Sequence, residues 1–185
     1  MSFAGWCNGH VCVTAAAASL ELFEASQARS YLRQAQLPSG AWGAYWWTDD
    51  EYATALAIEG LATGSEPEDD LRRARADAWA RRLPETTSAF ALSHRIRIVL
   101  AGANPERSAW LSRALPALVR LQDIDGGFPA SAWLRIPAPH VVDPSTEPQW
   151  ARNGRGGNSI NLDTSRFFTT ASVVAALARA GVHAS

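Results

Sequence analysis

Lysine is absent from this chain of 185 residues, cysteine occurs twice and methionine once. All seventeen basic residues are therefore arginine, which reads as a compositional bias before a functional device. The two cysteines, Cys7 and Cys12, are too few for a disulfide framework and fit a reducing compartment. No apolar run reaches the roughly 18–20 residues that a membrane span needs. The opening stretch MSFAGWCNGH also lacks the basic-then-apolar layout of a secretory leader, so the expected location is the cytoplasm. Net charge is −1, with acids and arginines interspersed. That balance excludes the basic stripe of a nucleic-acid binder.

What is present suits a globular protein: 47% of residues are apolar and 19% charged. The length predicts one domain over residues 1–185. Four alanine-rich apolar runs begin near Thr14, Thr54, Thr87 and Thr170. Their spacing is about 40 residues with one longer gap, a period expected of stacked helical hairpins. Apolar on nearly every side, these runs predict buried inner helices. Thr14 and Thr170 stand where a hydroxyl could cap the first turn. Between the runs, residues 24–36, 68–83 and 106–122 carry a polar face and predict outer helices. In the second of these, Glu68, Asp69 and Asp70 open the helix and Arg81 and Arg82 close it, as the helix dipole favours. Four inner and three outer helices follow. Sustained strand alternation is missing. Around residues 131–142 an extended stretch is conceivable, but its prolines favour a loop.

Two outer helices end alike, in YLRQAQLPSGAW with Gln36, Gly40 and Trp42, and in RALPALVRLQDIDGGF with Gln122, Gly126 and Phe128. Glycine suits the left-handed turn at a helix C-terminus. The amide can bond free helix-end groups while the ring packs back on the hairpin. This pair resembles the glutamine–tryptophan repeat of squalene-hopene cyclases and related terpenoid cyclases, a superfamily that includes the protein prenyltransferases. The first copy has Gln27 where the repeat opens on a basic residue, and the second has Leu118 and Phe128 in aromatic places. WWTDDEYATALAIEGL and LDTSRFFTTASVVAAL are similar to further segments of that superfamily. The resemblance covers most of residues 10–181. It implies an all-α fold, an (α/α) toroid whose inner-helix starts face a cavity for an isoprenoid. About three and a half hairpins are present, so an incomplete toroid is expected, or one completed by a homodimer or partner subunit.

The resemblance also implies a DXDD acid run at an inner-helix start, where a carboxylic acid kept protonated donates to an alkene. The matching registers here read HVCV (His10 to Val13), DEYA and RFFT, without that acid set. Asp49, Asp50 and Glu51 precede an inner helix, where the dipole favours ionised carboxylates that cap the helix and face water. Asp163 and Arg166 either pair as a clamp or present an acid and an anion-binding guanidinium to the cavity. With Tyr52 they and Asp50 form the candidate catalytic set. His10 and Cys12 stand where prenyltransferases hold zinc with an aspartate and a cysteine. No later inner helix starts with histidine, since His94 falls mid-helix and His140 in the loop. They are thus a cavity-lining pair or two ligands of an incomplete zinc site. No cofactor is expected otherwise, although zinc or magnesium fits the chemistry of the superfamily. Trp47, Tyr52 and Phe168 at inner-helix starts are expected to face substrate through their π faces. Trp42 and Phe128 suit packing between hairpins.

Residues 127–164 read as a long loop or lid holding apolar residues such as Trp133, Val141 and Trp150, which argue against free disorder. Arg152, Arg155 and nearby glycines could meet a diphosphate there. The expected function is a terpenoid-cyclase-like enzyme acting on a hydrophobic isoprenoid or polyene without the DXDD motif. The alternatives are a non-catalytic protein that binds a hydrophobic ligand or partner, and a zinc-dependent prenyltransferase.

Overall fold

The computed structural model describes residues 2–20, 24–102 and 104–181. The end of the first predicted apolar run, Leu22 and Phe23, lies outside the described residues. Seven α-helices form: α1 (Val11–Ala18), α2 (Ala25–Ala35), α3 (Asp50–Ala62), α4 (Pro67–Arg82), α5 (Ala89–Ala101), α6 (Arg107–Val119) and α7 (Phe167–Arg179). Within the described residues, none is long and apolar enough to cross a membrane.

The predicted alternation of layers is what forms. Helices α1, α3, α5 and α7 stand in a row, each against the next, while α2, α4 and α6 pack outside them. Helix α4 starts with proline in its first turn, where a missing N–H costs nothing, and its terminal charges complement the dipole. Ser88 caps α5 by accepting from the Ala91 N–H at 3.1 Å. The core runs along the row, with Trp42, Ile58, Leu61, Phe90, Ile96 and Ile98 fully buried.

Burial on every side holds only for the middle of the row. α3 and α5 are enclosed, but α1 leaves Val13, Ala16 and Ala17 exposed, with Leu20 exposed just beyond it, and α7 leaves Phe167, Ala171, Val174 and Ala178 exposed. The correction has a simple cause: a helix at the end of a row has one inner neighbour, not two. A second surprise lies in α5, which buries two arginines. Arg95 binds Glu51 of α3 at 2.9 and 3.0 Å. Arg97 binds Glu59 of α3 at 2.6 and 2.9 Å, and Arg179 of α7 shares that carboxylate. Asp69 is likewise buried, held by Arg33 of α2 at 2.9 Å, so it does more than complement the dipole of α4.

The two glutamine–glycine–aromatic motifs adopt one geometry. Gln36 donates to the Gly40 carbonyl at 2.9 Å, and Gln122 to the Gly126 carbonyl at 2.8 Å. The glycines have φ of +100° and +83°, where a Cβ is disfavoured. The backbone N–H of the aromatic residue then bonds the next inner helix: Trp42 donates to the Thr54 hydroxyl at 2.9 Å, Phe128 to the Thr170 hydroxyl at 3.3 Å. Thr170 is therefore a fastener between hairpins, not a cap of its own helix. Trp42 also donates its indole N–H to the Leu32 carbonyl at 2.7 Å.

Residues 127–164 are not a structureless loop, which corrects the expectation from their prolines. They carry β1 (Trp133–Ile136), a 3-10 turn (Pro144–Thr146), β2 (Ala151–Arg152) and β3 (Ser159–Leu162), in the sheet order β1-β3-β2. β1 is antiparallel to β3 and β2 parallel to it. Proline tolerates a strand's border but not its ladder, and β1 stops one residue before Pro137.

Candidate functional site

The starts of the inner helices converge under this insertion. Ser131 accepts the Phe90 N–H of α5 at 3.1 Å. Thr169 of α7 accepts the Ser131 and Ala132 N–H groups, each at 3.2 Å. Ahead of α3, Trp46 accepts the Arg135 N–H at 2.8 Å and Thr48 donates to the Trp133 carbonyl at 3.1 Å. Ahead of α1, the Trp6 indole donates to the Pro137 carbonyl at 2.9 Å. One segment thus ties four helix starts together.

The rings at these starts form a wall. Trp47 lies 5.4 Å from Tyr52, 5.1 Å from Phe90 and 5.0 Å from Phe168, between ring centroids. Tyr52 stacks on Phe90 at 5.9 Å, and His94 meets both edge-on. Trp47 and Phe90 are buried, whereas Phe168 is 54% exposed and opens one side of the cluster. Of the sequence candidates, Trp47, Tyr52 and Phe168 are brought together. Phe90 and His94 were missed, although Ala89-Phe90 opens α5 as Phe167-Phe168 opens α7. Trp42 and Phe128 are buried between hairpins as expected. His94 is buried and held neutral, its pKa far below the usual value through burial and then the Arg97 charge. Its Nδ1 faces the Arg97 guanidinium at 3.2 Å. A guanidinium only donates, so Nδ1 accepts and Nε2 carries the hydrogen.

The carboxyl cluster lies between Trp47 and Tyr52 of this wall along the chain. Asp49 is the N-cap of α3 and Asp50 its first residue. Asp50 accepts the Ala44 N–H at 2.8 Å, and Asp49 accepts from the Thr48 hydroxyl at 3.0 Å. Burial, reinforced by the Glu51 charge, pushes the Asp49 carboxyl up to about 6. Burial also raises Asp50. Desolvation therefore outweighs the helix dipole at Asp49 and Asp50, which are half-buried, and Glu51 is buried against Arg95, so the expectation that all three face water is corrected. Because the folded state holds the Asp49 proton more tightly than the unfolded chain, stability falls as pH rises from about 4 to about 6. In thermal melts Asp49→Asn should gain on the wild type across that window. A constant difference between the two would show Asp49 to be solvated.

The other candidates lie elsewhere. Asp163 is buried before α7, accepting from the Thr169 N–H at 2.9 Å and the Ser165 hydroxyl at 3.2 Å. Arg166 does not clamp it. Its guanidinium reaches across to Asp123 and Asp125 in the second motif's turn, which corrects the expected pair and occupies the proposed anion-binding group. A left-handed backbone at Arg166, φ 62°, turns it that way. His10 stacks on Tyr45 with centroids 3.9 Å apart, beside a cavity of about 220 Å³ lined also by Tyr31 and Asp143. Burial lowers the His10 pKa and raises that of Cys12, favouring the neutral form of each. Among the described residues, no three His, Cys, Asp or Glu side chains converge as metal ligands. Arg152 lies over the Trp133 ring at 5.3 Å, and Arg155 is exposed.

Neither a protein-family model nor a curated relative matches the chain. Solved structures do. A protein from Actinoplanes is 38% identical over 97% of this chain and 58% of its own, with a TM-score of 0.89. The type II terpene cyclase MstE from Scytonema is 37% identical over 98% of this chain and 57% of its own, with a TM-score of 0.90. The ent-copalyl diphosphate synthase of Streptomyces platensis, 18% identical with a TM-score of 0.62, shares the fold. The chain spans somewhat over half the length of the first two. With its helical row, its paired motifs and these neighbours, the chain belongs to the terpenoid-cyclase-like superfamily.

Proposed function

We propose that this chain takes part in cyclising a hydrophobic isoprenoid or polyene. The observation that carries the reading is an aromatic wall, Trp47–Tyr52–Phe90–Phe168, whose Trp47 and Tyr52 flank in sequence the Asp49 carboxyl with its raised pKa. A carboxyl raised to about 6 keeps a larger protonated fraction than an ordinary aspartate, and that fraction can deliver its proton to an alkene carbon. The resulting cation is stabilised by ring faces, each contributing about 0.5–2 kcal/mol. Asp49 is the acid in this reading, with Asp50 as its neighbour. Asp163 holds the start of α7, and Tyr52, kept neutral by burial, is part of the wall. Support comes also from MstE, which has been solved with geranylgeranyl dihydroxybenzoate as its substrate.

A second reading, binding of a hydrophobic ligand without turnover, draws on the rings packing on one another, with Trp47 and Phe90 buried. One experiment separates the two. The protein is incubated with geranylgeranyl dihydroxybenzoate, and cyclised products are sought by mass spectrometry. Asp49→Asn should lower turnover by about 100-fold or more, and Phe168→Leu by roughly tenfold, without altered ligand uptake. Uptake with no product in the wild type would favour the binding reading.

A further inference from the structure

The insertion brings one cation to the front of α3. Arg135 stands on β1, and its backbone N–H donates to the Trp46 carbonyl at 2.8 Å. Its half-buried side chain reaches further back along the same segment, donating from Nε to the Tyr45 carbonyl at 3.1 Å and from Nη2 to the Ala44 carbonyl. The guanidinium carbon also lies 5.7 Å from the centroid of the Trp150 ring. These partners are neutral, so none of them cancels the charge. Ala44 is held through its other backbone group as well, because its N–H donates to the Asp50 carboxylate at 2.8 Å. Arg135 and Asp50 therefore grip one residue between them. Asp50 is also the acid that acts most strongly on Arg135, ahead of Asp143 and Asp49. Asp143 is exposed and already bound by the Ser145 N–H and hydroxyl, at 2.9 and 2.7 Å.

Asp49, one residue earlier, has different neighbours. Its bonded donor is the Thr48 hydroxyl at 3.0 Å, a neutral group. The cation facing it is Arg95 of α5, which Glu51 already binds at 2.9 and 3.0 Å. The charges of Glu51 and Asp50 both favour a proton on Asp49. Glu51 acts on Asp50 in the same sense, but there the Ala44 N–H and Arg135 work the other way. We infer that Arg135 is a positioning residue: it keeps Asp50 ionised, so that of two adjacent carboxyls Asp49 is the one left to take up a proton. Two carboxyls whose surroundings push them apart can divide the work of acid and fixed charge between them. The catalytic consequence rests on the reading of Asp49 as the acid. The order of protonation does not.

The test titrates the full chain by NMR with carbon-13 at its aspartate carboxyls, Asp49→Asn and Asp50→Asn assigning the signals. In the wild type Asp49 should take up its proton at a higher pH than Asp50. Arg135→Met should raise the Asp50 midpoint by about one pH unit, roughly tenfold in proton affinity, and move Asp49 less. Arg135→Lys keeps the charge without the two-pronged grip on the backbone, and should restore most of that difference. A merely structural arginine would be replaced equally badly by lysine and by methionine. Should Arg135→Met not fold, Asp50→Asn supplies a second reading. Removing the charge that Arg135 sustains should lower the Asp49 midpoint by about half a pH unit or more. Asp50 titrating above Asp49 in the wild type overturns the inference. So does an Asp50 midpoint that Arg135→Met leaves unmoved, lysine and methionine variants that titrate alike, or an Asp49 midpoint indifferent to Asp50→Asn. The expected order in a chain that forms no cyclised product would retire the acid reading alone and uphold this one.

Discussion

Glu51→Ala is expected to destabilise the fold by about 3–5 kcal/mol, the cost of leaving a buried charge without its partner. The side chains of Glu51 and Arg95 are each only 10% exposed, and both Nε and Nη2 of Arg95 are bound to one carboxylate oxygen. Its Nη1 donates to the Pro84 carbonyl at 2.6 Å, so the guanidinium cannot swing out without breaking a further bond. Total stability of a domain is on the order of 5–15 kcal/mol, so the loss would be a large share of it. Replacing both partners, Glu51→Leu with Arg95→Met, should cost far less, because no orphan charge is then left inside. Urea denaturation of the two variants checks this. A loss under about 1 kcal/mol for Glu51→Ala would mean that water reaches the guanidinium, as at a surface pair.

Trp42→Ala should be comparably severe, about 3–5 kcal/mol. The ring is fully buried, and truncation opens a cavity where α2, α3 and the motif turn meet. It also leaves the buried Leu32 carbonyl without the indole donor. Tyr31, in the same motif but 36% exposed, supplies the comparison. Its hydroxyl bonds the Gly9 carbonyl at the surface, so Tyr31→Phe should cost about 1 kcal/mol. Equal losses at the two positions in thermal melts would contradict the view that Trp42 fastens hairpin to hairpin.

Much of the architecture was legible before any coordinates. The alanine-rich runs, the acidic start of α4 and the Gln–Gly–aromatic endings are local signals, and a helix or a turn answers to its own residues. The sheet within residues 127–164 was less legible. Four-residue strands interrupted by proline show no sustained alternation, and β3 is recruited by β1 from a distance. In the candidate site, Trp47, Tyr52 and Phe168 were readable as rings at helix starts. Phe90 and His94 join them only because α5 lies beside α3.

The chain's order of residues determined, unaided, that inner and outer helices alternate and that two turns must be left-handed at Gly40 and Gly126. Tertiary structure alone decided which charges are buried together, since Glu51 with Arg95 and Glu59 with Arg97 come from helices far apart in sequence. It likewise decided that the Asp49 carboxyl is pushed up to about 6, because desolvation, the largest cause, depends on what packs around a carboxyl. Arg166 turned to Asp123 and Asp125 for the same reason. Partners separated in sequence are chosen by packing, which no local pattern encodes.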